Sequence, residues 1–166
     1  MNIKLKKIII AGGGTGGHLF PAIAIGQELE NEGIIVKYIG SKNGIESSGK
    51  FIEKNKIELL DIKGVARDFS ISSIIKNIVL PFKVLMTYLR VKRIFKNFNP
   101  DLVIGTGGYS CALPLYIAIK KNILTAIQEQ NVLPGLVTRK FSNKVDIVFT
   151  SFDATKKYLN KNNYFL

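Results

Sequence analysis

The sequence predicts an α/β fold, an open and mainly parallel sheet of about six strands with helices on both faces. Three observations lead there. Short β-branched runs alternate with longer segments of helical period. The first apolar run, Ile8-Ile9-Ile10-Ala11, feeds directly into a glycine loop that opens a helix, and the run at residues 102–104 does the same. A length of 166 residues with 46% hydrophobic content suits one packed domain.

In chain order, strands are expected over residues 7–11, 34–39, 58–62, 102–104, 125–128 and 145–149. Helices are expected over 17–31, 44–55, 72–97, 112–121 and 134–141. Pro81 falls inside the long helix and either kinks it or marks its start. There is no internal repeat or Pro/Gly-rich hinge at which to divide the chain, so residues 1–166 form one domain. The tail, residues 156–166, ends without a capping element, and the natural protein is expected to continue past it.

Twenty-four Lys and Arg against twelve Asp and Glu give a net charge of +12, which attracts anionic surfaces: nucleic acid, phospholipid or phosphorylated substrates. The charges are not interleaved with aromatics as in an RNA or DNA module, so nucleic acid is not the expected partner. The lone Cys111 cannot form an internal disulfide, no His/Cys cluster has metal-ligand spacing, and a cytosolic compartment follows. The basic, apolar start resembles a signal peptide, but its apolar run is short and ends in glycines. No run reaches the ~18 uncharged apolar residues that span a bilayer, and Lys83 interrupts the best candidate.

The first glycine loop reads Gly12-Gly13-Gly14-Thr15-Gly16-Gly17-His18. Without Cβ atoms the backbone turns sharply and approaches a ligand closely. Free N–H groups and the helix dipole then favour phosphate or carboxylate. Gly12, Gly14 and Gly17 meet the G-x-G-x-x-G spacing of a Rossmann-like domain, but the second strand ends Tyr38-Ile39-Gly40-Ser41 without the acid a dinucleotide ribose wants. No Gly-Lys-Ser/Thr follows, so the loop is not a Walker A motif. His18, the only histidine, sits on the first turn of the helix, where it is either structural or a ligand or proton-transfer group.

A second loop, Gly105-Thr106-Gly107-Gly108-Tyr109-Ser110, repeats the device, and two such loops at one sheet edge suit a diphosphate, with Tyr109 and Ser110 adding hydroxyls. The fifth strand ends Gln128-Glu129-Gln130-Asn131, four polar side chains that suit carbohydrate recognition, although Asn131 can also simply cap the next helix. Between Asp68 and Asp101 there is no acid but six Lys and Arg. Ile75, Val79, Phe82 and Met86 make one helical stripe flanked by Lys83 and other cations, a membrane-surface pattern, though a stripe packed on the sheet reads the same way.

Three segments, residues 12–22, 105–110 and 129–135, together resemble the MurG family over essentially the whole chain. That family adds N-acetylglucosamine from UDP-GlcNAc to undecaprenyl-diphosphate-N-acetylmuramoyl-pentapeptide, lipid I to lipid II, in peptidoglycan synthesis. Its fold is GT-B, two Rossmann-like domains facing a cleft. The resemblance is to the amino-terminal, acceptor-binding domain, with the carboxy-terminal donor domain absent. It implies that Gly14, Thr15, Gly16 and Gly17 with Gly105, Thr106, Gly107 and Gly108 cradle the acceptor diphosphate. Thr15, Gly16, Gly17 and Asn131 would also approach the donor sugar, and His18 and Glu129 become candidates for activating the acceptor hydroxyl. Gln128, Gln130, Tyr109 and Ser110 complete the implied substrate site. No cofactor or metal is implied, and the location is the cytoplasmic face of the bacterial plasma membrane, peripheral and anionic. One departure is Gln128, where the family usually has histidine: glutamine hydrogen-bonds but cannot act as a base. Two other readings stand beside this one, a non-catalytic membrane-recruiting subunit of a two-chain glycosyltransferase and a nucleotide-binding Rossmann enzyme.

Overall fold

Strand β1 (Lys7–Gly12) carries Ile8 and Ile10 toward one face and Ile9 and Ala11 toward the other, and all four are buried. Both faces are therefore covered, which is why the strand reads as unbroken apolar sequence. In this computed structural model, residues 5–61, 71–159 and 164–166 are described, the side chains of 71–79 excepted. The remaining strands are β2 (Ile35–Ser41), β3 (Ile57–Leu60), β4 (Leu102–Gly107), β5 (Leu124–Glu129), β6 (Ile147–Thr150) and β7 (Tyr164–Phe165). They lie in the order β3-β2-β1-β4-β5-β6-β7 with every pairing parallel. The fold is the open, Rossmann-like parallel sheet expected.

Among the described residues, four helices cover it: α1 (Gly16–Asn31), α2 (Ile71–Phe98), α3 (Ala112–Lys120) and α4 (Leu136–Phe141). Leu19 and Ala22 of α1 pack with Ile8, Ile10, Val36 and Tyr38. On the other face Val91 and Phe95 of α2 and Leu115 and Ala118 of α3 pack with Ile9, Val103 and Ile127. Gly26 lets α1 settle on β2, because a Cβ there would collide with the Tyr38 hydroxyl. Burial pushes that phenol up to about 12.

Two aspartates stitch strand starts together. Asp101, just before β4, accepts the N–H groups of Lys6 and Lys7 at 2.8 and 2.9 Å, and Asp146, just before β6, accepts from the Thr125 N–H and hydroxyl, both at 2.8 Å. The Lys6 and then the Lys7 amide hold the Asp101 carboxyl below its usual range. A depressed folded value contributes stability that is present above the unfolded carboxyl value and lost as pH falls through the folded one. Asp101→Asn should therefore cost about 1 kcal/mol near neutral pH. In urea unfolding followed against pH, its difference from wild type should close on the acid side.

Two expectations need correction. The helix over 44–55 is only a 3-10 turn, Ile45–Ser48, ended by Gly49 at φ 70°, because Glu46 folds inward instead of continuing an α-helix. The tail supplies a seventh strand, β7, beside β6. Helix α2 starts ahead of Pro81 and runs through it. The expected strand over 58–62 is β3, ending at Leu60; residue 62 lies outside the described residues.

Candidate functional site

β1, β4 and β5 are neighbours in the sheet, so their carboxyl ends bring the first glycine loop, the second glycine loop and the polar strand end to one edge. The strand order turns between β1 and β4, the place where open α/β sheets leave a crevice. A register shift after Ala11 pairs Gly12 with Gly107, and the two loops interlock without space between them. A Cβ on Gly12 would collide with the Thr106 hydroxyl, and one on Gly107 with the His18 imidazole. One on Gly108 would lie 2.5 Å from the Gly13 carbonyl oxygen. Gly107 and Gly108 also have φ of 114° and 78°, where a side chain is strained. The glycines are thus needed for loop-on-loop contact as well as for any ligand.

Glu46, which the sequence reading passed over, braces this arrangement from below. It is 1% exposed. Its carboxylate accepts the Gly14 N–H at 2.9 and 3.1 Å and the Ser41 N–H at 2.6 Å. Side chains on Gly13, Gly40 or Gly44 would run into it. The Gly14 amide is therefore already satisfied inside the protein, and a ligand must use the next ones. Those belong to the start of α1, where Thr15 makes no side-chain cap and the first turn holds no acid. Such an uncapped amino terminus keeps its orphan N–H groups and positive dipole end for an anion.

His18 stands beside it, half-buried. The Thr106 hydroxyl donates to the His18 carbonyl at 2.9 Å, fixing the backbone. The ring Nδ1 lies 3.1 Å from the Thr106 carbonyl oxygen and 2.7 Å from the Gln130 side-chain amide. His18 also lines a cavity of about 180 Å3, together with Gly107, Gly108, Tyr109, Gly135 and residues 136–138.

Glu129 does not project into this cavity as a base would. It is 2% exposed; one oxygen accepts from the Asn131 N–H and side-chain amide at 3.1 and 2.9 Å, and the other accepts the Gly135 N–H at 3.0 Å. The carboxylate folds its own loop around itself, and the Thr155 hydroxyl pins that loop through the Asn131 carbonyl at 3.0 Å. Gln128 turns toward β6, its nitrogen 3.4 Å from the Ser151 hydroxyl. Gly105, Thr106 and Ser110 are buried and do not line the cavity, whereas Gly107, also buried, is one of its lining residues. Of the expected site residues, Gly14, Thr15, Gly17, Tyr109 and Asn131 are exposed, and Gly16, Gly108, Gln128 and Gln130 are partly so. Cys111, under the second loop, donates its thiol to the Gly108 carbonyl at 3.0 Å, and burial pushes that thiol up to about 12.

A model of the glycosyltransferase family 28 N-terminal domain matches residues 8–150, which include all three loops. The chain belongs to that family. Among family 28 relatives, it is 36% identical over 157 residues to the UDP-N-acetylglucosamine--N-acetylmuramyl-(pentapeptide) pyrophosphoryl-undecaprenol N-acetylglucosamine transferase of Exiguobacterium sibiricum, covering 94% of this chain and 42% of that protein. It is 38% identical over 152 residues to the transferase of the same name from Christiangramia forsetii, covering 90% and 40%. The crystal structure of Acinetobacter baumannii MurG superposes with a TM-score of 0.77 at 28% identity, over 96% of this chain and 44% of that one. A putative UDP-N-acetylglucosamine 2-epimerase from Listeria monocytogenes, at 14% identity and a TM-score of 0.59 over 98% of this chain and 44% of that one, shares the fold alone. The chain spans about two fifths of the length of the curated relatives it matches.

Helix α2 adds a further exposed surface. Phe82, Leu85, Met86 and Leu89 are each at least half exposed, at i, i+3, i+4 and i+7 of one helical face. Lys83 is paired with Asp61 and Arg90 with Glu58 beside them. Ile75 and Val79 lie outside the described side chains. No helix among the described residues is long and apolar enough to cross a membrane.

Proposed function

We propose that this chain is the acceptor-binding half of an inverting glycosyltransferase that moves N-acetylglucosamine from UDP-GlcNAc to undecaprenyl-diphosphate-muramoyl-pentapeptide, lipid I to lipid II. The observation that carries the reading is the uncapped amino terminus of α1 with the His18 imidazole at its side. The names of the family 28 relatives supply the substrate class.

The acceptor diphosphate rests on the amides at Thr15, Gly16 and Gly17, which follow the Gly14 amide that Glu46 takes up. His18 then takes the proton of the muramoyl 4-hydroxyl as its oxygen bonds to the anomeric carbon. The bond to UDP breaks on the opposite side, which inverts that carbon. Glu129 acts at one remove, by holding Asn131 at the rim. Uridine contacts come from the donor domain, so this chain alone binds UDP-GlcNAc weakly and transfers nothing.

The exposed face of α2 meets the cytoplasmic surface of the bacterial plasma membrane, its apolar side chains entering the headgroup boundary and the net positive charge drawing it to anionic lipid. Cosedimentation with anionic vesicles, with and without the lipid-diphosphate acceptor, tests both parts. Acceptor should raise the bound fraction severalfold, and Phe82→Asp should weaken vesicle binding about tenfold in either case. Phe82 is 64% exposed, so the change spares the fold. Binding indifferent to acceptor would sink the acceptor-domain reading, and binding indifferent to Phe82→Asp would sink the membrane face.

A further inference from the structure

The imidazole of His18 is pinned at one nitrogen only. Nδ1 faces the Thr106 carbonyl oxygen at 3.1 Å and the Gln130 amide at 2.7 Å, with the Gly107 backbone packed against the same edge. Both contacts of the ring fall on Nδ1; among the described residues no hydrogen bond reaches Nε2, and His18 is one of the residues that line the cavity. A carbonyl oxygen only accepts, so a bond to Thr106 requires the proton to sit on Nδ1. If the Gln130 nitrogen then faced the ring, two N–H groups would point at each other across 2.7 Å. In that orientation the amide oxygen is also buried without a donor. The two ends of a carboxamide are nearly the same in shape, and the network decides which end faces the ring.

We propose that Gln130 is a positioning residue that sets the tautomer of His18: its amide oxygen, together with the Thr106 carbonyl, accepts the Nδ1 proton and leaves Nε2 with a lone pair that no described protein group takes up. A base needs that arrangement, because Nε2 can take a hydroxyl proton only if it carries none of its own. This role replaces the direct sugar contact expected of Gln130. Its catalytic consequence rests on His18 being the base proposed above, but the tautomer itself does not.

The chain contains one histidine, so selective 15N-histidine labelling yields one imidazole spectrum. Long-range 1H–15N correlation at a pH where the ring is neutral reads the tautomer directly, with no substrate present. Wild type should show a protonated Nδ1 and a bare Nε2. Gln130→Leu should lower the Nδ1–H to Nε2–H ratio about fivefold, the worth of one ordinary hydrogen bond, with Thr106 retaining the remainder. Gln130→Glu presents only acceptor oxygens and should keep the proton on Nδ1. A bare Nδ1 in wild type, an unchanged ratio in a folded Gln130→Leu, or transfer of the proton to Nε2 in Gln130→Glu would each overturn the assignment. Should Gln130→Leu fail to fold, wild type and Gln130→Glu still decide. Loss of the base reading would appear separately, as acceptor chemistry in the full-length enzyme indifferent to His18→Ala.

Discussion

Gly17→Asp will raise the stability of the chain by about 0.5–1 kcal/mol while lowering its affinity for the lipid-diphosphate acceptor about a hundredfold. Gly17 is the second residue of α1, and a Cβ there meets nothing nearer than the Thr15 hydroxyl at 3.9 Å, so a side chain fits. Gly17 is also absent from the residues of positive φ, so no backbone strain opposes the change. A carboxylate at this point caps the free N–H groups and meets the positive end of the helix dipole, and the unfolded chain loses glycine's freedom. The same charge occupies the seat proposed for the diphosphate. A repulsion of about 4 kcal/mol for unit charges ~4 Å apart near a protein surface, partly screened, gives the hundredfold. Urea unfolding and acceptor-dependent vesicle binding measure the two effects on one preparation. Gly17→Asn separates charge from bulk and should lose tenfold at most. A Gly17→Asp chain that binds acceptor like wild type would move the diphosphate away from α1 altogether.

The opposite signs matter because most changes in this region confound folding with binding. The two glycine loops interlock through Gly12, Gly107 and Gly108, so enlarging any of these disturbs the packing before any ligand is considered. Gly17 is a position where the loop has room, and room at a helix start without an acid is what an anion site looks like when empty of protein groups.

The parallel sheet was legible because strands buried on both faces read as continuous apolar runs, and Ile8-Ile9-Ile10-Ala11 could hardly be anything else. The three loops were legible because glycines and amides at strand ends are locally conspicuous. What sequence could not show is which polar atoms face inward. The strand-end pattern suggested that Glu129 contacts sugar hydroxyls and the family resemblance made it a candidate base, yet its oxygens are taken up by Asn131 and Gly135. Glu46 fell within the helix expected over residues 44–55 and was not singled out. The signal that could have singled it out is its setting between Gly40, Gly44 and Gly49, a density of glycines that neither a helix nor a strand requires. The seventh strand is two residues long and lies beyond a charged stretch, too short for any periodicity to register.

The carboxylate accounts for Gly40 and Gly44, where a Cβ would run into it, and that makes a second large prediction. Glu46→Ala should cost about 3–5 kcal/mol: the Gly14 and Ser41 amides lose their acceptor at roughly 1–3 kcal/mol each, and a small cavity opens where the side chain was. Glu46→Gln keeps the volume but offers one oxygen and one NH2 group to neighbours that only donate, so it should cost about 1–3 kcal/mol. Urea unfolding curves of the two variants check both figures, with an unchanged slope showing that the native state stays compact. The milder variant is the informative one for function. A folded Glu46→Gln chain whose acceptor affinity falls while its α2 face still binds plain anionic vesicles would show that the carboxylate holds the first glycine loop in its binding shape. Wild-type stability in Glu46→Ala would mean instead that the loop keeps its conformation through the Gly12–Gly107 pairing and the Thr106 bond to His18, with the buried carboxylate only a passenger.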